Sequence, residues 1–257
     1  MLIDALGVVS TLVTFELANS ATKAHNITRN FIARGKKTLD SIRLLWQTQA
    51  YSDCWSLHRT LIDRLFHLHV LGRDDSFEAF DGWSFVQQYE ARNAVMSDRE
   101  KAPKLVRKFW TPTDEQKARY RKLKDGAVKW ERPKAEAAAR SLGLPFLYKY
   151  GYDFASTHVH PMANDGEEEF KRATGLGEQP SLEYRVILHN SVLAQVVLVQ
   201  EAIRVVGVKW NPMLPDFLDA ALEALLGKPE RYKLIFLKIG ATAGVARWSD
   251  LPKPGGA

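Results

Sequence analysis

Apolar residues follow a helical period along almost the whole chain. They recur three and four positions apart, and no run of alternating β-branched residues is bounded by hairpin turns. This pattern predicts an all-α fold, a multi-helix bundle of roughly seven to nine helices. The clearest stripe lies on a helix that Ser181 is expected to cap, and it consists of Leu188, Val192, Val196, Val199, Ile203 and Val206.

Glycines indicate where the first helices end. One helix is expected over residues 2–34, with a break near Asn19 and with Gly35 as its C-cap. The next is expected over residues 38–71, where Gly72 ends it. The first quarter of the chain is therefore predicted to consist mainly of long helices.

Shorter helices and loops are predicted further along the chain. Gln116 lies three residues after Thr113, a spacing that predicts a capping box. The aromatic-rich residues 146–160 are expected to form a helix, and the acidic, glycine-rich residues 164–180 a loop. We interpret the chain as a single helical domain over residues 1–257, with a basic segment at 99–134 and a loose C-terminal tail at 249–257.

Positive charge is concentrated in the basic segment. The chain has a formal net charge of +6 and a pI near 9.3. Residues 99–134 alone hold thirteen Lys or Arg against five Asp or Glu, a net charge of +8. The remainder of the chain therefore carries about −2, and a negatively charged partner is expected to bind at the basic segment.

Aromatic residues lie among these cations, at Phe109, Trp110, Tyr120 and Trp130. Stacking on aromatic rings combined with phosphate contacts is how proteins bind single-stranded RNA. The alternative is a solvated helical face that packs through the same aromatic residues. The candidate nucleic-acid-binding residues are cations distributed around one predicted helix, namely Lys117, Arg119, Arg121, Lys122 and Lys124.

A second candidate site begins with Arg59 and Asp63. The two residues lie one turn apart at the edge of the apolar sector of a helix, where an i,i+4 ion pair can form. One interpretation is a structural salt bridge at the boundary of the core. The other is that Asp63 orients Arg59 toward a cleft, where it holds an anion or the backbone of a partner.

Two histidines, His158 and His160, end the aromatic-rich helix. Pro161 disfavours helical geometry at His160, so an extended segment could place both rings on one side. The histidines are interpreted either as partners of the last-turn carbonyls or as members of a polar site with Arg59. No third ligand with diagnostic spacing accompanies them, so neither a metal nor another cofactor is expected.

Two sequence elements occur together here. Residues 50–63 read Ala-Tyr-Ser-Asp-Cys-Trp-Ser-Leu-His-Arg-Thr-Leu-Ile-Asp, and a Tyr-x-x-x-Ser-x-x-x-His-Pro element follows at 152–161. Together they resemble the bacterial family of unknown function 5677 over about residues 49–162. The resemblance implies a helical fold with no established activity. The residues that match its pattern are Arg59, Asp63, Ser156, His160 and Pro161, with aspartate at 63 where the family tends to have glutamate.

A more distant likeness is to the HEPN superfamily, which includes metal-independent ribonucleases with an Arg and a His separated by four to six residues. Arg64 and His69 fit that spacing, but they lie about 140° apart on a helix and such a match is expected by chance. We therefore set this pair aside. A ribonuclease-like site would instead combine Arg59 with His158 or His160, the arginine stabilising phosphorane charge and the histidine moving a proton.

The candidate catalytic set is therefore Arg59, Asp63, Ser156, His158 and His160. We expect an RNA-interacting helical protein, with HEPN-like ribonuclease activity as its catalytic form. A non-enzymatic interaction module that docks an acidic protein is the alternative. A small-molecule or metal-dependent hydrolase is a weaker one.

The location of the protein is predicted from its charges. Asp4 lies where a signal peptide would be basic, and charged residues interrupt the later apolar runs before they reach spanning length. We therefore expect a cytoplasmic protein that does not bind a membrane. Homo-oligomerisation is left open.

Overall fold

The computed structural model describes residues 1–97, 111–126, 129–160, 162–163, 166–176, 186–207 and 212–242. Helices occupy 79% of these residues, and no strand occurs among them. The α-helices are α1 (Leu2–Glu16), α2 (Lys23–Gln47), α3 (Tyr51–Arg73), α4 (Phe77–Ser97), α5 (Asp114–Asp125), α6 (Ala135–Ser141), α7 (Phe154–Ser156), α8 (Glu167–Ala173), α9 (Ile187–Val206), α10 (Met213–Leu225) and α11 (Tyr232–Thr242). A 3₁₀ helix (Leu17–Asn19) follows α1, and a π-helix (Leu147–Asp153) precedes α7. The all-α prediction is confirmed, but the described part alone contains eleven α-helices, so the predicted number is wrong.

The chain divides into two compact units, residues 1–69 with 133–257 and residues 70–132. In the first unit, α9 packs against α2, α1 packs against both, and α10 packs against α9 and α11. Of the predicted stripe of α9, Val192, Val196 and Val199 are buried, whereas its end positions Leu188, Ile203 and Val206 are half-buried. Burial also extends beyond the stripe around the middle of the helix. Burial of such apolar stripes, at roughly 25 cal/mol per Å², is the main stabilising contribution to this unit.

Gly35 is not a C-cap, because α2 runs through it from Lys23 to Gln47. The glycine is buried at the contact with α9, where an added Cβ would lie 2.6 Å from Gln195 Oε1 and 2.8 Å from Leu198 Cδ2. The sequence signal was therefore one of close helix packing rather than of a helix end.

The predicted helix over residues 38–71 is divided between α2 and α3. The break falls at Gln49, which has a φ of 62° in the left-handed region. Around it, the Thr48 N–H donates to the carbonyls of Leu44 and Leu45, and the Ala50 N–H donates to that of Leu45. A non-glycine residue rarely takes this conformation, so the sequence had no strong signal for the turn.

Residues 147–153 form a π-helix instead of the ordinary α-helix expected there. Gly151 is buried within it, and a Cβ at this position would lie 2.4 Å from Ile62 Cδ1. The absence of a side chain thus lets the π-helix backbone lie directly against α3. Short π-helical segments are frequent at functional sites.

The second unit consists of the end of α3, α4, α5 and the residues around Trp130. Helix α5 begins with the predicted capping box, in which the Thr113 hydroxyl accepts from the Gln116 N–H and the Gln116 side chain accepts from the Thr113 N–H. Helix α5 packs against α4. Trp130 is buried, with its ring centroid 4.6 Å from that of Trp83 and 4.8 Å from that of Phe80.

Part of the predicted loop at residues 164–180 is helical. Helix α8 occupies Glu167–Ala173, and Glu167 pairs with Lys171 one turn later at 2.7 Å. Acidic residues in the first turn favour a helix through its dipole, an effect that the glycine content of the segment obscured. Ser181, residues 99–110 and 127–128 of the basic segment and the tail at 249–257 lie outside the described residues.

Within the described residues, one stretch has the length and apolar character needed to cross a membrane. It is Leu2–Asn19, with a mean hydropathy of 1.4 and 33% of its residues buried. The core helix of a soluble protein passes the same test. Here Leu6, Val9 and Val13 are fully buried against the first unit.

Candidate functional site

Arg59 is the centre of a polar cluster that joins α3 to the π-helix and α7. Its Nε donates to Ser156 Oγ at 2.9 Å, its Nη1 to Asp63 Oδ2 at 3.1 Å and its Nη2 to the Tyr152 hydroxyl at 2.7 Å. The guanidinium carbon also lies 4.5 Å from the centroid of the Tyr152 ring. The structure thus brings together three of the predicted residues, Arg59, Asp63 and Ser156.

The cluster lies at the boundary of the core rather than within it. The side chains of Arg59 and Asp63 are 24% and 32% exposed. Arg59 uses three of its five N–H donors on the chain itself, so its position is fixed by bonds to two segments. This geometry suits a clamp between helices, and it leaves a partly exposed ion pair at the surface.

Tyr152 is the member of this cluster that the sequence interpretation did not assign. Its ring stacks on that of Tyr148, with centroids 6.2 Å apart. The same π-helix that fixes Tyr152 also positions Ser156, whose hydroxyl donates to the Tyr152 carbonyl at 2.7 Å. The signal that could have found it is the spacing of Tyr152 and Ser156, which lie one turn apart and both face Arg59.

His158 is held by aromatic contacts. Its ring lies parallel to that of Trp55 with centroids 6.1 Å apart, and 5.4 Å from the ring of Phe154. Its backbone carbonyl accepts a hydrogen bond from Ser56 Oγ at 2.7 Å. His160 is exposed. Among the described residues, neither histidine ring is hydrogen-bonded to Arg59, and a catalytic role for either stays a prediction.

Arg64 and His69, the pair that fits the HEPN spacing, contact different partners. Arg64 Nη1 donates to Thr38 Oγ1 at 3.1 Å, whereas His69 contacts Glu201 and Ser141. Their side chains do not form a shared site, as their spacing on the helix indicated. Across the described residues, no group of three or more His, Cys, Asp or Glu side chains is arranged to hold a metal ion.

The five candidate nucleic-acid-binding cations all belong to α5, and three of them form ion pairs. Lys117 pairs with Asp114 at 2.9 Å, Arg119 with Asp81 at 2.7 Å and Lys124 with Glu90 at 2.6 Å. The hydrogen bonds from Lys124 and from the Tyr120 hydroxyl hold the pKa of Glu90 below its usual range.

The remaining two cations, Arg121 and Lys122, are exposed and form no ion pair with another described residue. Of the aromatic residues in the segment, Tyr120 stacks on Tyr89 at 4.3 Å and Trp130 is buried, whereas residues 109 and 110 are not among those described. The packing interpretation therefore accounts for the two described rings, and it leaves a positive surface beside them.

A cleft of about 410 Å³ lies between α4 and α5. It combines aromatic, amide and charged side chains, and its lining residues are Phe85, Gln88, Tyr89, Arg92, Glu115, Gln116 and Arg119. The Arg119 guanidinium lies 4.2 Å from the centroid of the Phe85 ring.

The comparisons with known proteins place the chain in a family. The model of the family of unknown function DUF5677 matches residues 25–174, and the chain belongs to that family. The resemblance drawn from residues 49–162 is thereby confirmed, and the match extends beyond it on both sides. No curated protein and no solved structure matches the chain.

Proposed function

We propose that the protein binds single-stranded RNA through the surface formed by α4 and α5. The observation that carries the proposal is the cleft between these helices. Within one cavity it presents the amides of Gln88 and Gln116 and the guanidinium of Arg119, which is stacked on one face of the Phe85 ring. Rings stack on bases, amides bond to base edges and guanidinium groups bond to phosphates.

The cations of α5 extend this surface. Arg121 and Lys122 are exposed and available for phosphate contacts. Lys117, Arg119 and Lys124 are engaged with carboxylates, but an exposed ion pair contributes only about 0–1 kcal/mol. Exchange of such a carboxylate for a phosphate therefore costs little, and all five predicted cations can contribute. The carboxylate of Glu115 in the cleft repels phosphate groups, so a base is expected at that position rather than the phosphate backbone.

Cleavage is not part of this proposal. Arg59 donates to Ser156, Asp63 and Tyr152, and its positive charge is compensated by Asp63. A phosphorane-stabilising role would require a proton carrier beside it, and the cluster contains no imidazole in hydrogen-bond contact with Arg59. Binding without cleavage is the function that this geometry supports best.

A non-enzymatic module that docks an acidic protein is the second candidate. The observation in its favour is that Asp81 and Glu90 already pair with α5 cations at 2.6–2.7 Å. Carboxylates of another protein could occupy equivalent positions on Arg121 and Lys122.

The test is titration of fluorescently labelled single-stranded RNA at several salt concentrations. Each neutralised phosphate of a single strand contributes about −0.7 to the slope of log K against log salt. If Arg121 and Lys122 alone contact phosphates, the slope is expected to be about −1.4, and if all five cations do, about −3.5. The slope thus measures whether the paired cations are recruited.

Arg121→Gln/Lys122→Gln should weaken binding and reduce the magnitude of the slope by about 1.4. The matched control is Lys37→Gln/Lys228→Gln, which removes the same charge from exposed positions in the first unit. Absence of binding at low salt would remove the RNA proposal and favour the interaction module. Cleavage that survives EDTA and disappears in His160→Ala would instead support the ribonuclease.

A further inference from the structure

Three side chains outside the Arg59 cluster form a hydrogen-bonded chain from the surface into the core. Ser141 Oγ lies 2.9 Å from His69 Nε2, and His69 Nδ1 lies 2.7 Å from Glu201 Oε1. They come from α6, α3 and α9, and all belong to the first unit. No part of the RNA-binding proposal uses them.

The direction of the hydrogen bonds follows from the chemistry of each group. An ionised carboxylate only accepts, so His69 Nδ1 carries a proton and donates it to Glu201. In the neutral ring the other nitrogen, Nε2, then has a lone pair. The Ser141 hydroxyl can donate to that lone pair, which places a base directly against its proton.

Glu201 is held ionised by its partners. Burial alone would raise its pKa, but hydrogen bonds from Arg204 and His69 lower the pKa to about 2. Arg204 donates to both carboxylate oxygens, through Nε at 2.8 Å and through Nη2. The carboxylate therefore fixes the ring orientation of His69 and stabilises the imidazolium that forms when His69 accepts a proton.

The three side chains differ in their exposure to solvent, and the difference matches the roles of a nucleophile and of the groups behind it. His69 and Glu201 are 8% and 5% exposed, whereas Ser141 is exposed at the end of α6. A nucleophile that reacts with a substrate must be open to it, while its base and the orienting carboxylate need only be behind it. The exposures follow that order.

We propose that Ser141 is a nucleophile for acyl transfer from small carboxylic esters, with His69 as its base and Glu201 as the group that positions His69. The Oγ–C bond forms as His69 Nε2 takes the hydroxyl proton. The C–O bond to the alcohol then breaks, and the alcohol leaves with the proton from His69. Water attacks the acyl group with the same base, which releases the carboxylic acid and regenerates Ser141.

The surroundings of Ser141 set the substrate class. The N–H groups of Leu142, Gly143 and Leu144 donate to the carbonyls of Ala138, Arg140 and Ala139, so none of them is available to an oxyanion. Loss of one oxyanion donor costs about a hundredfold to a thousandfold in rate. Ser141 should therefore react with activated acyl compounds, such as aryl esters, rather than with amides.

The experiment treats the full-length protein with a fluorophosphonate probe, which forms an Oγ–P bond with loss of fluoride and gives a stable adduct. Mass spectrometry of the digested protein then locates the label. We expect the label on Ser141 and none there in Ser141→Ala, whose fold is checked by circular dichroism. Ser41→Ala is the control, because Ser41 is a helical serine whose hydroxyl donates to the Lys37 carbonyl and, among the described residues, has no histidine beside it.

His69→Gln keeps hydrogen-bonding groups at this position but removes the base. Its labelling rate should fall on the order of a hundredfold while circular dichroism shows a folded protein. Wild-type protein that is not labelled at Ser141, or a folded His69→Gln labelled at the wild-type rate, would overturn the proposal. The wild-type result stands even if His69→Gln does not fold.

Discussion

Arg59 and Arg119 each pair with an aspartate, yet the two regions to which they belong use these charges differently. Arg59 is 24% exposed and donates to three residues on two segments of the first unit. Arg119 is 41% exposed, pairs with Asp81 and covers the ring of Phe85. The number of partners and the burial decide whether a charge stabilises the fold or stays available to a ligand.

The same contrast holds for carboxylates. Glu201 in the first unit is 5% exposed and has two cationic or imidazole partners, Arg204 and His69. The side chain of Glu90 on α4 is 38% exposed and accepts from Lys124 and the Tyr120 hydroxyl. Water and salt therefore screen the ion pair of the exposed Glu90, and they screen the ion pair of the buried Glu201 much less.

The largest expected effect concerns Glu201 and pH. Because its pKa is lowered from 4.5 to about 2 in the folded state, its contribution to stability is fully present above about pH 4.5 and is lost as pH falls toward 2. The shift corresponds to a free energy of unfolding on the order of 3 kcal/mol. Urea unfolding at a series of pH values from about 5 to about 2 measures this loss.

Glu201→Gln should remove that part of the pH dependence and should lower stability at neutral pH. Glu90→Gln is the comparison, and because Glu90 is screened by solvent its pH profile should follow the wild type closely. If the free energy of unfolding of wild type and of Glu201→Gln fell equally with pH, ionisation of Glu201 would not contribute to the stability of the fold.

The second effect concerns Arg59. Arg59→Ala removes the donor that Asp63, Tyr152 and Ser156 share at the edge of the core, and a hydrogen bond to a charged group contributes about 1.5–3 kcal/mol. We expect a loss of about 2–3 kcal/mol, less than the 3–5 kcal/mol typical of a fully buried pair, because a quarter of the side chain is exposed. Urea unfolding measures the difference.

Arg121→Ala on α5 is the matched control, and its effect on stability should stay within about 0.5 kcal/mol. A similar loss in both variants would contradict the contrast between the two regions. An Arg59→Ala protein of unchanged stability would point to a binding role for Arg59 instead of a structural one.

Local patterns predicted much of this molecule. The apolar period gave the helical class, the Thr113–Gln116 spacing gave the capping box, and the i,i+4 spacing gave the Arg59–Asp63 pair. All of these depend on residues within about one helical turn. The stripe on α9 was predicted for the same reason.

The features that the sequence did not predict depend on distant residues or on rare backbone conformations. Gly35 reads as a helix end unless its contact with Gln195 is known, and Gln49 gives no sign of its positive φ. His69 and Glu201 are 132 positions apart, so no spacing rule could pair them. The π-helix likewise depends on the approach of Gly151 to Ile62.

The smallest expected effect concerns two adjacent hydroxyl groups at the end of the Arg59 cluster. That of Ser156 contacts Arg59, and that of Thr157 makes a local bond within its own helix end. Ser156 Oγ accepts from Arg59 and donates to the Tyr152 carbonyl, whereas Thr157 Oγ1 donates to the Phe154 carbonyl at 2.7 Å and is exposed. Ser156→Ala removes an acceptor of a charged donor, so we expect a loss of about 1–2 kcal/mol. Thr157→Ala removes only an exposed local bond and should change stability by less than about 0.5 kcal/mol. Thermal and urea unfolding of the two variants give the comparison. Equal losses would mean that Arg59 finds another acceptor, such as water, when Ser156 is absent, and that the hydrogen bond from Arg59 to the Tyr152 hydroxyl is what joins α3 to the π-helix.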